Sequence, residues 1–283
     1  MKKITLLIHC DDQKGIIASV TQFILEQKGN IIYIDQHVDR EAGIFFMRLE
    51  GEFGEGFDHM GFKANFQTLI ANQFKINWKI YSSSYKPAMA LFVSKYDHCL
   101  YDILGRFKSG ELNVSIPFIL SNHDDLKSIA DSFDIPFYHI PFNKGNKNEA
   151  TLKQLELLKQ FNVDFVVLAR YMQIIPKSMI DAYQNKIINI HHSFLPAFVG
   201  AKPYHSAYKR GVKIIGATSH YVTEELDAGP IIEQGVNRVS HTHSISDLVT
   251  KGRDLEKIVL STAIKLHIQR KVMVYNNKTV IFS

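Results

Sequence analysis

The chain reads as an α/β protein in two parts, a small βαββαβ unit followed by a larger unit with a mostly parallel sheet. Three observations carry that reading. Short β-branched runs alternate with stretches of helical spacing. A polar, proline-ended segment, Ser82-Ser83-Ser84-Tyr85-Lys86-Pro87, breaks the rhythm. Beyond it the strand candidates are apolar on both faces, as strands covered by helices on two sides must be.

Residues 4–8 form the first apolar run, a strand, and 11–15 a turn. Ile16, Ile17, Val20, Phe23 and Ile24 then recur at helical spacing until Gly29-Asn30 ends the pattern, predicting a helix over 16–27. Strands follow at 31–38 and 43–49 around a turn at 39–42. A helix over 60–74 sets Phe62, Phe66, Leu69 and Ile70 on one face, and 76–81 closes as a strand. This order is the split βαβ of ferredoxin-like domains. The boundary is placed at the polar stretch, giving domains 1–84 and 85–283. In the second, strands at 89–93, 115–120, 136–140, 165–168 and 187–190 alternate with helices near 98–107, 124–133 and 149–161, a Rossmann-like pattern. Residues 214–222 and 231–239 flank an acidic turn and read as a strand pair. A long helix over 245–270 carries Gly252, and two short strands surround Asn276-Asn277.

The composition suits such a core: 46% of the 283 residues are hydrophobic and 22% charged. That excludes general disorder. The 33 basic and 28 acidic residues leave a net charge of +5, scattered in pairs such as Lys2-Lys3 and Arg270-Lys271. A nucleic-acid partner would demand a basic patch or stripe. The excess is a solvated surface or a mild attraction for a small anion. Two cysteines, Cys10 and Cys99, make no disulfide framework. The apolar run after Met1 is too short for a signal peptide, and no stretch has the length of a membrane span. A soluble, cytoplasmic chain is expected, with no nucleic acid and no membrane among its partners.

Two segments carry the chemistry. In Ile188-Asn189-Ile190-His191-His192-Ser193-Phe194-Leu195-Pro196 an apolar strand runs into polar groups, where parallel α/β sheets bind ligands. Period-two alternation puts Asn189 and His191 on one side, so an amide and an imidazole can converge on one carbonyl. The plainer reading is a polar cap on a strand end. In His220 to Ile232, three acids, Glu224, Glu225 and Asp227, sit in a turn between two apolar runs. Alone this is a solvated turn. Beside the first segment it supplies a carboxylate that can orient an imidazole or take a proton from water. The set Asn/His/Asp suits attack on a carbonyl with oxyanion stabilisation. No G-x-S-x-G elbow marks a serine hydrolase.

These segments resemble the formyltetrahydrofolate deformylase family, part of the folate-dependent formyltransferase superfamily with an N-terminal ACT domain. Asn189 to Pro196 resembles the family's catalytic strand and loop, and Gly200-Ala-Lys-Pro-Tyr-His205 its continuation. His220 to Gly229 resembles the second catalytic loop, Leu168 to Ile175 the folate and formyl pocket, and Ser121-Asn-His-Asp-Asp125 a deformylase stretch. The resemblance implies that Asn189, His191 and Asp227 are catalytic. It also implies that Met172, Gln173, Ile174, Ile175, His220, Val222 and Glu225 bind substrate. The reaction implied is hydrolysis of 10-formyltetrahydrofolate to tetrahydrofolate and formate, supplying formate for purine synthesis and balancing folate pools. No prosthetic group and no metal are expected. Transferase relatives carry a phosphate-binding glycine-rich loop after the first catalytic-domain strand. Here Ser94 to Leu100 contains no glycine, which leaves water as the acceptor.

Other residues keep two readings. Met172, Ile174 and Ile175 have the spacing of core residues. His192 and Ser193 position the loop. His220 bonds folate, braces Asp227, or is a satisfied core histidine. Lys202 and Arg170 meet an anionic ligand or are surface charges. His241-Thr242-His243 invites a metal, but no neighbouring cluster completes the site, so loop histidines are expected. Cys99 reads as a small buried hydrophobe. Residues 1–84 resemble an ACT domain, with Asp12, Gly15 and Asn30 at a possible amino-acid effector site or interface, and such domains imply a homo-oligomer. Two other functions compete: formyl transfer to an unidentified acceptor, and an ACT-led amino-acid sensor with an inactive catalytic domain.

Overall fold

Along β1 (Lys2–Asp11) the residues Ile4, Leu6, Ile8 and Cys10 all point into one core. The computed structural model describes residues 1–143, 145–196 and 203–283. Among them no helix is long and apolar enough to cross a membrane. Next come α1 (Ile16–Glu26), β2 (Asn30–Asp39), β3 (Ile44–Phe53), α2 (His59–Phe66), a π-helical turn (Gln67–Ala71), α3 (Asn72–Phe74) and β4 (Asn77–Ser82). The strands pair antiparallel in the order β2-β3-β1-β4. The helices press Val20, Phe23, Phe62 and Phe66 onto Leu6, Ile8, Met47 and Leu49.

The single helix expected over 60–74 is broken by the π turn. Its buried residues, Phe62, Phe66, Ile70 and Phe74, recur every fourth position. In an α-helix each such step advances the stripe by about 40°, and one wider turn brings it back over the sheet. Leu69, expected on the buried face, is 54% exposed.

This first unit comprises Met1–Lys86 together with Arg270–Met273 and Val280–Ser283. Within it the Arg48 Nε donates to the Arg270 carbonyl at 3.0 Å, and the Tyr33 hydroxyl to the Ser283 carbonyl at 2.6 Å.

The second unit takes Pro87–Gln269 and Val274–Thr279. Its elements are β5 (Met89–Val93), α4 (His98–Lys108), β6 (Ile119–Ser121), α5 (Lys127–Ser132), β7 (Phe137–His139), α6 (Lys147–Gln160), β8 (Phe165–Leu168), α7 (Lys177–Ala182), β9 (Ile187–His191), α8 (Pro203–Arg210), β10 (Ile214–Tyr221), β11 (Ile231–Arg238) and α9 (Ile245–Ile268). The hairpin of β12 (Val272–Tyr275) and β13 (Lys278–Ile281) ends the chain. The seven-stranded sheet runs β11-β10-β9-β8-β5-β6-β7. The five strands β5 to β9 are parallel, whereas β10 is antiparallel to both β9 and β11. Every residue of β5 and β8 is buried, as their unbroken apolar runs require.

β6 is shorter than the run over 115–120 suggests. Pro117 has no N–H to offer a ladder, so Ser115 makes an isolated bridge to Ala88 and regular pairing starts only at Ile119. Helices α7 and α8 had no counterpart in the sequence pattern. The stretch Gly200–Lys202 lies outside the described residues.

Candidate active site

β9 lies beside β8 and delivers Asn189 and His191 at its carboxyl end. The antiparallel register sets His220 directly opposite Asn189 and Thr218 opposite His191. Opposed residues share a face, so four polar side chains meet on one side of two strands. The fifth arrives from the connection between β10 and β11. There the Asp227 backbone has φ 55°, in the left-handed region that short polar side chains tolerate. Gly229 makes the tight closure possible: a Cβ there would run into the Tyr221 carbonyl oxygen.

The Asp227 carboxylate lies between two imidazoles, with Oδ2 3.2 Å from His191 Nδ1 and Oδ1 3.6 Å from His220 Nε2. Bonding to His191, then to His220, holds the Asp227 carboxyl well below the usual carboxylate range, against a partial desolvation. His220 Nδ1 faces the Tyr221 carbonyl at 2.9 Å. A carbonyl only accepts, so this nitrogen carries a proton. The same ring's Nε2 lies 3.3 Å from the Asn189 amide nitrogen and 3.6 Å from Asp227 Oδ1, between a donor and an acceptor. The His191 ring is 6% exposed, and its Nε2 is buried with no hydrogen-bond partner. Its neighbour His192 is pushed down to about 4 by burial and then by the charge of Arg170, so it is a neutral ring at pH 7.

The opposite wall comes from the segment after β8. Met172 donates its backbone N–H to the Ser94 hydroxyl at 3.1 Å, and that hydroxyl donates to Asn122 Oδ1 at 2.6 Å. The resulting cleft has a volume of ≈ 320 Å³, suited to a small molecule. Met172, Gln173, Ile174, Ile175, His220 and Val222 line it together with Asn189, His191 and Asp227. Glu225 does not; its neighbours Glu224 and Leu226 do, and Glu225 points into the open. Met172 and Ile174 are 49% and 62% exposed, so the core reading of these two is overturned, while Ile175 does belong to a core cluster.

Arg170 is no surface charge: it is 8% exposed and faces the buried Glu256 of α9. Lys202 lies outside the described residues. His243 is held in its turn by the Ser240 N–H at 2.9 Å, as a loop histidine. Cys99 is fully buried. Among the described residues one group, His98, Cys99 and Glu256, has metal-ligating atoms within 4.8 Å of one another. It does not suit a cation. Burial pushes the Cys99 thiol well up, so the thiolate is suppressed, and Glu256 already faces the Arg170 guanidinium. Sequence reasoning missed Ser94 and Glu256, because neither stands near a motif that marks it.

In the first unit, Asp12 and Gly15 line a groove beside α1 with Gln36 and Val38. Asn30 does not. It sits six residues from Gln36 along β2, roughly 20 Å away in an extended strand.

The family model described as formyl transferase matches residues 88–264, and the ACT domain model residues 4–54. A formyltetrahydrofolate deformylase of Synechocystis sp. is 52% identical over 279 residues, covering 99% of this chain and 98% of that protein. The crystal structure of a formyltetrahydrofolate deformylase from Pseudomonas syringae superposes with a TM-score of 0.97 at 48% identity, over 100% of this chain and 95% of that one. A glycinamide ribonucleotide transformylase from Symbiobacterium toebii covers 72% of this chain and 97% of its own, with a TM-score of 0.67 at 26% identity.

Proposed function

The chain belongs to the formyltetrahydrofolate deformylases of the formyl transferase family, and on that premise we propose that Asn189, His191 and Asp227 carry out the hydrolysis of 10-formyltetrahydrofolate to tetrahydrofolate and formate. The observation that supports these roles is the convergence of the three side chains on one cleft, with His191 Nε2 buried and unpartnered. Water adds to the formyl carbon. The Asn189 amide N–H and the His191 imidazolium stabilise the oxyanion that forms. Asp227 orients His191 through Nδ1 and takes the proton of the attacking water. As the bond from carbon to N10 breaks, His191 passes its proton to N10, and formate leaves. Met172, Gln173, Ile174, Ile175, His220 and Val222 form the walls against the folate.

In this reading residues 1–84 act as the ACT domain and 85–283 as the catalytic domain, apart from the end segments Arg270–Met273 and Val280–Ser283 that belong to the first unit. The groove at Asp12 and Gly15 would admit an amino-acid effector. The same reading makes the protein a cytoplasmic homo-oligomer that needs no prosthetic group and provides formate for purine synthesis.

Purified protein, 10-formyltetrahydrofolate and water alone test the assignment. Formate is expected without any acceptor, and Asp227→Asn is expected to slow its release on the order of 10²–10⁴-fold while leaving the fold intact. Strict dependence on an added amine would favour formyl transfer instead. Unaltered turnover in the variant would remove Asp227 from the mechanism.

A further inference from the structure

The wall of the cleft begins at a residue that breaks a backbone rule. Arg170 has φ 64°, a region that favours glycine, and it carries one of the bulkiest cations there. Its guanidinium is buried, an arrangement that is costly unless the charge is met. It is met by Glu256, whose Oε2 lies 3.5 Å from Arg170 Nε, and by the Tyr96 ring, 4.9 Å from the guanidinium carbon.

Glu256 is itself a junction. It is 1% exposed, accepts from the Tyr204 hydroxyl at 2.6 Å and meets His98 Nε2 at 2.8 Å. Burial alone would push its carboxyl up, yet His98, Arg170 and Tyr204 hold it below its ordinary value. Gly252, one turn earlier on α9, leaves the room that brings Tyr204 there; a Cβ at 252 would collide with the Tyr204 hydroxyl. Four elements thus share one carboxylate behind the cleft, and the chain it restrains through Arg170 leads directly to Met172 and Ile174.

We propose that Glu256 is a positioning residue of the deformylase reaction, which through its ion pair with Arg170 fixes the backbone of 170–175 and so sets the affinity of the folate wall for substrate. The inference rests on the deformylase reading. Glu256 does not itself line the cleft; it reaches it through Arg170, which does.

Two single variants and their combination test it. Glu256→Gln keeps the shape and removes the charge. Arg170→Gly removes the side chain and suits the φ of that position. Each is expected to raise KM for 10-formyltetrahydrofolate at least tenfold with kcat within about threefold of wild type. The double variant is expected to be no worse than the poorer single one, because the pair acts as a unit. Hydrogen exchange gives a readout independent of activity: peptides covering 170–175 should exchange at least tenfold faster in either variant, with the β8 and β9 peptides unchanged. An unchanged KM in folded Arg170→Gly, or penalties that multiply in the double variant, overturns the proposal. If Glu256→Gln does not fold, Arg170→Gly alone decides by the same two readouts. If wild type releases no formate, the functional reading fails; exchange at 170–175 then decides the positioning role, and unchanged exchange overturns it.

Discussion

Asp227 sits between two rings, 3.2 Å from one and 3.6 Å from the other, and both hold its charged form. A carboxyl whose folded value lies below its unfolded one stabilises the fold above the unfolded value, about 3.9, and loses that contribution as pH falls toward the folded value. Wild type is therefore expected to exceed Asp227→Asn in stability above about pH 4, and the margin should narrow as pH falls further. Urea titrations at several pH values measure it; a margin that does not narrow below about pH 4 would assign the linkage to another group. The carboxylate is charged throughout the neutral range, so any loss of turnover there belongs to another titrating group. The pair Asn189 and His191 was legible from alternation along a single strand. The contact of Asn189 with His220 was not, because it forms only across the sheet, between strands distant in the chain.

At the scale of elements, glycine does its work through space rather than torsion. Gly229 lets the turn after β10 close onto the Tyr221 carbonyl and thereby delivers Asp227. Gly229→Ala is expected to cost roughly 1–3 kcal/mol by overpacking and to depress formate release beyond the loss in folded protein, since the turn must open. A melting curve and a turnover assay on the same sample separate the two effects. Strands such as β5 and β8 were readable because burial on both faces leaves an unbroken apolar run. The start of β6 was not, since Pro117 removes a ladder bond without interrupting the hydrophobic pattern. Helices α7 and α8, at six and eight residues, are shorter than the window over which a helical period can be counted. Glu256 was invisible for a further reason: on α9 it resembles any helical acid until Arg170, Tyr204 and His98 are folded around it.

For the whole molecule, the first unit leaves apolar side chains exposed on one helix and on one edge strand. Ile17 and Leu25 on α1, and Ile32 and Ile34 on β2, are 42%, 65%, 39% and 41% exposed. β2 is an edge of its sheet, open to pairing with another chain. Sedimentation at micromolar concentration is expected to show an oligomer, and Ile34→Lys to shift it toward smaller species. A wild-type monomer would refute the ACT-mediated assembly. The +5 balance, which composition left undecided, now sits on a molecule whose cleft we propose takes an anionic folate. The antiparallel register of β9 and β10 also bears on how the protein fails. Asn189 and His220 face each other only in that alignment; a slip of one residue would turn one strand's polar groups to the far side. A misaligned molecule has no weakened centre but none at all. Specific turnover therefore counts correctly threaded molecules one by one, and a register slip here will appear as fewer working copies at full speed rather than as a population of slow ones.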